Sequence, residues 1–321
     1  MSGAGQQFAF LDLQPELNDV LSEVCTSLNQ NAKSLSPKFF YDERGSQLFE
    51  AITQLPEYYP TRTELALFAA HLPEIADLIG KRSCVIEYGS GSSLKIRQLL
   101  QALSPAAYVP VDISKDYLLN TAKVLSADFT GLDVFPVCAD FTQDMVLPTQ
   151  VANLQRVGFF PGSSIGNFEP AQALQFMQRV GATIGSNGYF LIGVDCKKDP
   201  LVLERAYADR AGVTAEFNLN VLVHLNRVLG ANFRVEQFQH VAKYNQEQGC
   251  IQMFLRSECA QQVNIGETIF SFDAGELLHT ENSYKYMPSE FLALAERSGF
   301  RCLKHWLDER DYFGLYLLQA R

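Results

Sequence analysis

No two of the seven cysteines, at positions 25, 84, 138, 196, 250, 259 and 302, are spaced Cys-x-x-Cys, and their number is odd. That pattern excludes a disulfide framework and a zinc ribbon, and the cysteines read as reduced, mostly buried thiols. The five histidines are scattered, with none at i,i+4, so no local metal motif is present and no metal is expected. No stretch approaches the ~20 apolar residues that a membrane span needs. The first residues, MSGAGQQFAFLDLQPEL, lack a basic segment ahead of their apolar stretch, which Asp12 interrupts, so they do not read as a secretory signal. A cytoplasmic protein with no membrane partner is the expectation. Charge is also short on one side: 26 basic residues face 36 acidic ones, net −10, with no run of like charge. The electrostatic footprint of a nucleic-acid partner is therefore missing. Internal repeats, low-complexity tracts and Pro/Gly/Ser linkers are absent as well.

What is present is a 321-residue chain with 47% hydrophobic content, enough for one large core or two smaller ones. Five short apolar runs alternate with helical stretches: SCVIEY, AYVPVDI, LDVFPVC, RVGFFPG and GYFLIGV, each followed by a polar or glycine-rich turn. This rhythm predicts β-α-β units and a parallel sheet covered on both faces. In SSLKIRQLLQAL, Ile96, Leu99, Leu100 and Leu103 form one helical stripe, with Ser92 or Ser93 as cap. PSEFLALAERSGF predicts a helix ending at Gly299, and RCLKHWLDE and YFGLYLLQA an antiparallel hairpin completing the sheet. Two regions break the alternation. Residues 1–60 and 197–286 are assigned to a second, α+β lobe; within it PLVLERAYADRAGVTAEFNLNVLVHLNRVLG reads as helical, and FRVEQFQHVAKYN and CIQMFLRS as strands. Residues 61–196 and 287–321 then form the Rossmann-like α/β domain.

The turn Glu87-Tyr88-Gly89-Ser90-Gly91 closes the first run. The third glycine of a dinucleotide fingerprint would fall at position 94, which is leucine, and no Gly-Lys-Ser/Thr follows for a phosphate loop. What remains is an acid-glycine turn, with Asp112 ending the second run and Asp140-Phe141 beyond the third. A carboxylate at Asp112 suits a ribose diol, and Asp140 with Phe141 suits an adenine amino group and ring face. Adenosine without a pyrophosphate fits best, which points to S-adenosylmethionine.

Glu87 to Arg97 (EYGSGSSLKIR), residues 36–62 (SPKFFYDERGSQLFEAITQLPEYYPTR), 162–170 (GSSIGNFEP) and 280–286 (TENSYKY) resemble the histidine Nα-methyltransferases of ergothioneine biosynthesis. The resemblance runs from about residue 10 to the end and implies a class I S-adenosylmethionine-dependent methyltransferase sheet with a substrate-binding lobe. It implies trimethylation of L-histidine to hercynine, or, as the alternative, N-methylation of another free, aromatic amino acid to its betaine. It further implies that Gly89, Lys95, Asp112, Asp140 and Phe141 hold the cofactor, with Lys95 pairing the methionine carboxylate. Asn167 and Tyr207 would take the substrate α-carboxylate, and Tyr58, Glu281 and Ser283 would surround the imidazole, with Met253 as a wall. Tyr41 would act at the amine, directly or through a water. Both lobes supply these residues, so the site is expected in the cleft between them, in a monomer.

Each residue also has a structural reading. Tyr58 and Tyr59 precede Thr61 and Glu64, which form a capping box and would explain the tyrosines as helix-entry packing. Asn167 suits a turn with left-handed backbone. Tyr207 suits a core helix face and Met253 a core strand. Glu281 and Ser283 alternate with Thr280 and Asn282 at strand spacing, so one pair would be solvated. Two other classes, a nicotinamide oxidoreductase and a non-catalytic cofactor-binding module, use the same sheet; the missing third glycine speaks against the first, and the full set of candidate groups against the second.

Overall fold

The computed structural model describes residues 6–13, 17–91 and 94–321. The caps foreseen at Ser92 or Ser93 lie outside the described residues. In chain order the elements are β1 (Leu11–Leu13), α1 (Leu17–Leu28), α2 (Glu43–Thr53), α3 (Tyr59–Ile79), β2 (Cys84–Tyr88), α4 (Leu94–Leu103), β3 (Ala107–Asp112) and α5 (Lys115–Asp128). They continue as β4 (Asp133–Val134), β5 (Val137–Ala139), β6 (Arg156–Phe160), α6 (Pro170–Ile184), β7 (Tyr189–Asp195), α7 (Pro200–Tyr207) and α8 (Val213–Leu229). Then follow β8 (Phe238–Asn245), β9 (Cys250–Ser257), β10 (Gln261–Ile265), β11 (Thr268–Phe272), β12 (Leu277–Tyr284), α9 (Pro288–Arg297), β13 (Phe300–Leu307) and β14 (Phe313–Ala320). Two compact units divide the chain: residues 1–14, 60–197 and 286–321 in the first, and 15–59 and 198–285 in the second.

The first unit is a Rossmann-like α/β layer structure. Its sheet runs β1-β5-β3-β2-β6-β7-β14-β13, with β4 also on β3. The strands up to β7 are parallel, and β14 and β13 close the edge antiparallel, as the last two apolar runs predicted. Strand alternation splits the side chains between two cores. Ile86, Tyr88, Val109, Val111, Phe160 and Ile192 pack against α6 and α9. Val85, Tyr108, Val157, Phe159 and Leu191 pack against α3, α4 and α5, where the Ile96, Leu99, Leu100 and Leu103 stripe is buried as predicted. The chain order reverses between β2 and β6, which is where ligands bind in open sheets of this kind, at the carboxyl ends of the strands.

Three sequence expectations are corrected here. LDVFPVC is two short strands in one register on β3, because Pro110 on β3 has no N–H to give the Phe135 carbonyl and so interrupts the ladder between them. Leu11–Leu13 pairs in parallel with Val137–Ala139, which puts these three residues on the large sheet and not in the second lobe. Finally, α3 begins at Tyr59, so Thr61 is inside the helix and the capping box is not made; Glu64 turns inward instead.

In the second unit, β12-β9-β8 form an antiparallel sheet and β10-β11 a hairpin. The long helical stretch is two helices. Gly212 takes a left-handed φ of 77°, and the Asp209 carboxylate accepts from the Val213 and Thr214 amides, starting α8 afresh. In front of α2, buried Asp42 accepts from the Gly45 amide, from Asn220 Nδ2 at 2.8 Å and from Arg227 at 2.6 Å, which ties α2 to α8. The seven cysteines form no disulfide. Among the described residues, no helix is long and apolar enough to cross a membrane.

Candidate active site

In the first unit the strand ends converge on the turn after β2. The Gly89 and Ser90 amides both donate to Val111 O, which fastens that turn to the end of β3 beside Asp112. Gly89 has φ +74°, so a side chain is disfavoured by backbone conformation; a Cβ placed there would meet the Phe141 ring at an ordinary 3.6 Å. Phe141 itself packs edge-on to Tyr88 and Phe160. Half-buried Asp112 accepts from the Ser114 amide, and burial pushes its carboxyl up to about 6. Asp140 accepts from the Thr142 amide and hydroxyl, at 3.0 and 2.5 Å. Among the described residues, buried Ser90 Oγ has no hydrogen-bond partner. A glycine cradle, an orphaned hydroxyl, a ring and two carboxylates fit a nucleoside with a diol.

Glu87 is not part of this donor set. It lies on the opposite strand face and is fully buried, accepting from Tyr108 OH at 2.5 Å. Lys95, on the first turn of α4, is buried with Nζ 2.6 Å from Glu64 Oε2. The same carboxylate receives the Gly162 amide from the turn after β6 at 2.9 and 3.0 Å. Among the described residues Lys95 gives one hydrogen to Glu64 at the strand ends, and an ammonium has three to give. Asn167 ends the 3-10 turn Ser164–Asn167 that follows β6; the left-handed residue there is Ser163, not Asn167.

In the second unit a chain of rings leads from Tyr41 to Tyr207. Tyr41 meets Phe49 and Phe217 edge-on at 5.9 and 5.8 Å, Phe49 meets Tyr58, and Tyr58 meets Tyr207 at 6.2 Å. Tyr207 ends α7, and its carbonyl accepts from His240 Nε2 on β8. Burial lowers the His240 pKa, which favours the neutral ring that Asn218 Nδ2 meets at Nδ1. The Tyr207 hydroxyl lies 2.7 Å from Ser283 Oγ.

Ser283 and Glu281 share one face of β12, and Met253 on β9 stands directly opposite Glu281. Neither alternating pair is solvated: Thr280, Glu281, Asn282 and Ser283 are all buried. Asn282 and Thr280 are absorbed into the sheet by Gln252, His279 and Met253 O. Burial pushes the Glu281 carboxyl up to about 8, against the lowering effect of Lys285.

A family model described as "Histidine-specific methyltransferase, SAM-dependent" matches residues 20–320. The chain belongs to this family. A "Histidine N-alpha-methyltransferase" of Mycobacterium tuberculosis is 39% identical over 92% of this chain and 93% of its own. A protein of the same name from Mycolicibacterium smegmatis has the same identity and the same two coverages. "Ergothioneine biosynthesis protein 1" of Neurospora crassa is 34% identical over 89% of this chain, which spans 33% of that longer protein.

For a histidine-specific methyltransferase the structure gathers the foreseen residues into two groups, Gly89, Lys95, Asp112, Asp140 and Phe141 in one unit, and Tyr41, Tyr58, Tyr207, Met253, Glu281 and Ser283 in the other. Asn167 lies in the first unit, and its assignment to the substrate carboxylate rests on the resemblance alone. Sequence reasoning missed Glu64, Phe49, Phe217 and Lys285. Lys285 was within reach, since it stands two residues beyond Ser283 in the same motif.

Proposed function

We propose that this protein trimethylates the α-nitrogen of L-histidine with S-adenosylmethionine, giving hercynine as the opening step of ergothioneine biosynthesis. The names carried by its mycobacterial and fungal relatives support this reading. The observation that carries it is the buried pair on β12. A neutral imidazole has one donor and one acceptor; Glu281 supplies an acceptor and Ser283 a hydroxyl, a match that a phenyl or aliphatic side chain would leave unpaired.

S-adenosylmethionine supplies a methyl already activated on a sulfonium, so the chemistry asks for no metal. The first unit is then the cofactor domain, with Asp112 on the ribose, Asp140 and Phe141 on the adenine, Gly89 giving close backbone approach and Lys95 pairing the methionine carboxylate. The second is the substrate domain. There Tyr58 and Met253 line the ring pocket, Tyr207 binds the α-carboxylate, and Tyr41 orients the amine. The amine must be neutral to react, while an α-ammonium gives up its proton only near pH ~8 or above. Tyr41 with a water is sufficient for that transfer, and positioning alone supplies several kcal/mol. Free thiols suit a reducing, cytoplasmic compartment, and we take the monomer as the working unit.

The test is methyl transfer from labelled S-adenosylmethionine to each of the twenty amino acids in turn. Histidine is expected to exceed every other acceptor by at least about tenfold, the scale set by unpaired buried polar groups. Faster labelling of phenylalanine, tyrosine or tryptophan would keep the methyltransferase and reject the role given to Glu281 and Ser283.

A further inference from the structure

Strand β5 is three residues long, and Asp140 and Phe141 follow it without a break. What fixes β5 therefore fixes the carboxylate and ring assigned above to adenine. On one side β3 pairs with it at two positions, Val111 with Val137 and Asp112 with Cys138. On the other side β1 pairs at three, Leu11 with Val137, Asp12 with Cys138 and Leu13 with Ala139. The register with β1 thus runs one residue further toward Asp140 than the register with β3.

The segment that carries β1 is fastened mainly through its backbone. The Leu11 amide donates to Pro136 O at 2.9 Å and the Ala9 amide to Val134 O at 3.3 Å, while Gln7 O accepts from the Val134 amide at 2.9 Å. Leu11 packs on the same core as Phe141. Asp12 lies 2.5 Å from Lys115 Nζ, which ties β1 to the first residue of α5, just past Asp112. Leu13 is 41% exposed and Asp12 is exposed beside it, so little apolar burial secures the strand. A segment held at a sheet edge by a few backbone bonds opens at low free energy, and it gains order from a ligand that its docked form binds better.

We propose that residues 7–13 are a positioning segment for the cofactor: docked on β5, they set Asp140 and Phe141 to meet adenine, and they tighten on the sheet as the cofactor binds. The inference rests on the placement of adenine at Asp140 and Phe141 proposed above. Linkage makes it reciprocal, because a cofactor that prefers the docked strand must stabilise the docked strand by the same factor. Cofactor affinity and the protection of the Ala9 and Leu11 amides are then two measures of one equilibrium.

The test combines hydrogen exchange at the Ala9 and Leu11 amides of the full chain, with and without S-adenosylhomocysteine, with calorimetric affinities of the unaltered protein and Leu11→Pro for the same ligand. Proline at position 11 deletes the donor to Pro136 O. The ligand is expected to slow exchange at both amides by about fivefold or more, and Leu11→Pro to raise its Kd by about five- to tenfold, the scale of a lost backbone hydrogen bond. In turnover the loss should fall on the KM for S-adenosylmethionine and far less on kcat. If Leu11→Pro fails to fold, Ala9→Pro, which cuts the longer bond to Val134 O, takes its place with the same expectations. Exchange unaffected by the ligand, or a variant that loses only stability while its folded form keeps the unaltered affinity, would overturn the role of β1 and leave the proposed function standing. Unchanged affinity in Asp140→Ala would instead remove adenine from this strand end, and this inference with it.

Discussion

Glu281 shows how far a single residue's behaviour departs from what its position in a motif conveys. The sequence placed it at strand spacing and allowed either exposure or burial; the structure buries it with Ser283 opposite the second sheet strand. Its carboxyl then takes a proton up to about 8, where an ordinary glutamate ionises near 4.5. Between those values the folded chain holds a proton that the unfolded chain has released. The stability this group contributes is thus fully present below 4.5 and is lost as pH rises through 8. Glu281→Gln removes the titration, so in ligand-free protein the stability of wild type relative to the variant should fall across that window, by up to a few kcal/mol in order of magnitude. Denaturant titrations at pH 5 and pH 8 measure it, and an equal difference at both would show that Glu281 is not held protonated. Asp112 and Asp140 were legible from the sequence because ends of parallel strands can be read from apolar runs. Glu64 was not, since its partners Lys95 and Gly162 are 31 and 98 positions away.

At the scale of elements, the apolar runs at β2, β3, β6, β7, β13 and β14 were read as strands and are strands. Errors came from backbone chemistry that overrides hydrophobic pattern, as at Pro110, and from local hydrogen bonding, as where Asp209 and Gly212 restart the helix between α7 and α8. The capping box failed for a different reason: Glu64 makes stronger, buried contacts across the unit than a cap would give. Those contacts require a glycine in β7. A Cβ at Gly193 would lie 2.0 Å from Glu64 Oε1, so Gly193→Ala must displace the carboxylate from Lys95 and the Gly162 amide. The expected cost is about 1–3 kcal/mol of unfolding free energy, the range for overpacking a core, accompanied by weaker S-adenosylhomocysteine binding. A denaturant midpoint and an affinity both equal to wild type would show that this ion pair does not organise the strand ends.

For the whole molecule, the family membership makes one chemical demand: a free amino acid must be recognised by its side chain yet modified at its α-nitrogen. The two units answer with different materials. One brings glycine, carboxylates and a buried lysine to the ends of parallel strands, and the other brings tyrosines and a polar pair on an antiparallel sheet. Their discontinuous make-up was partly visible as breaks in the strand–helix rhythm. The placement of Leu11–Leu13 was not, because a three-residue edge strand carries too little pattern to be recognised. The central claim is tested most directly by the NMR spectrum of the product formed from histidine and S-adenosylmethionine carrying a 13C-labelled methyl. The account predicts one labelled resonance from three equivalent methyls on a quaternary α-nitrogen, with both ring nitrogens unmodified. Label on the imidazole, or no label on histidine at all, would contradict it.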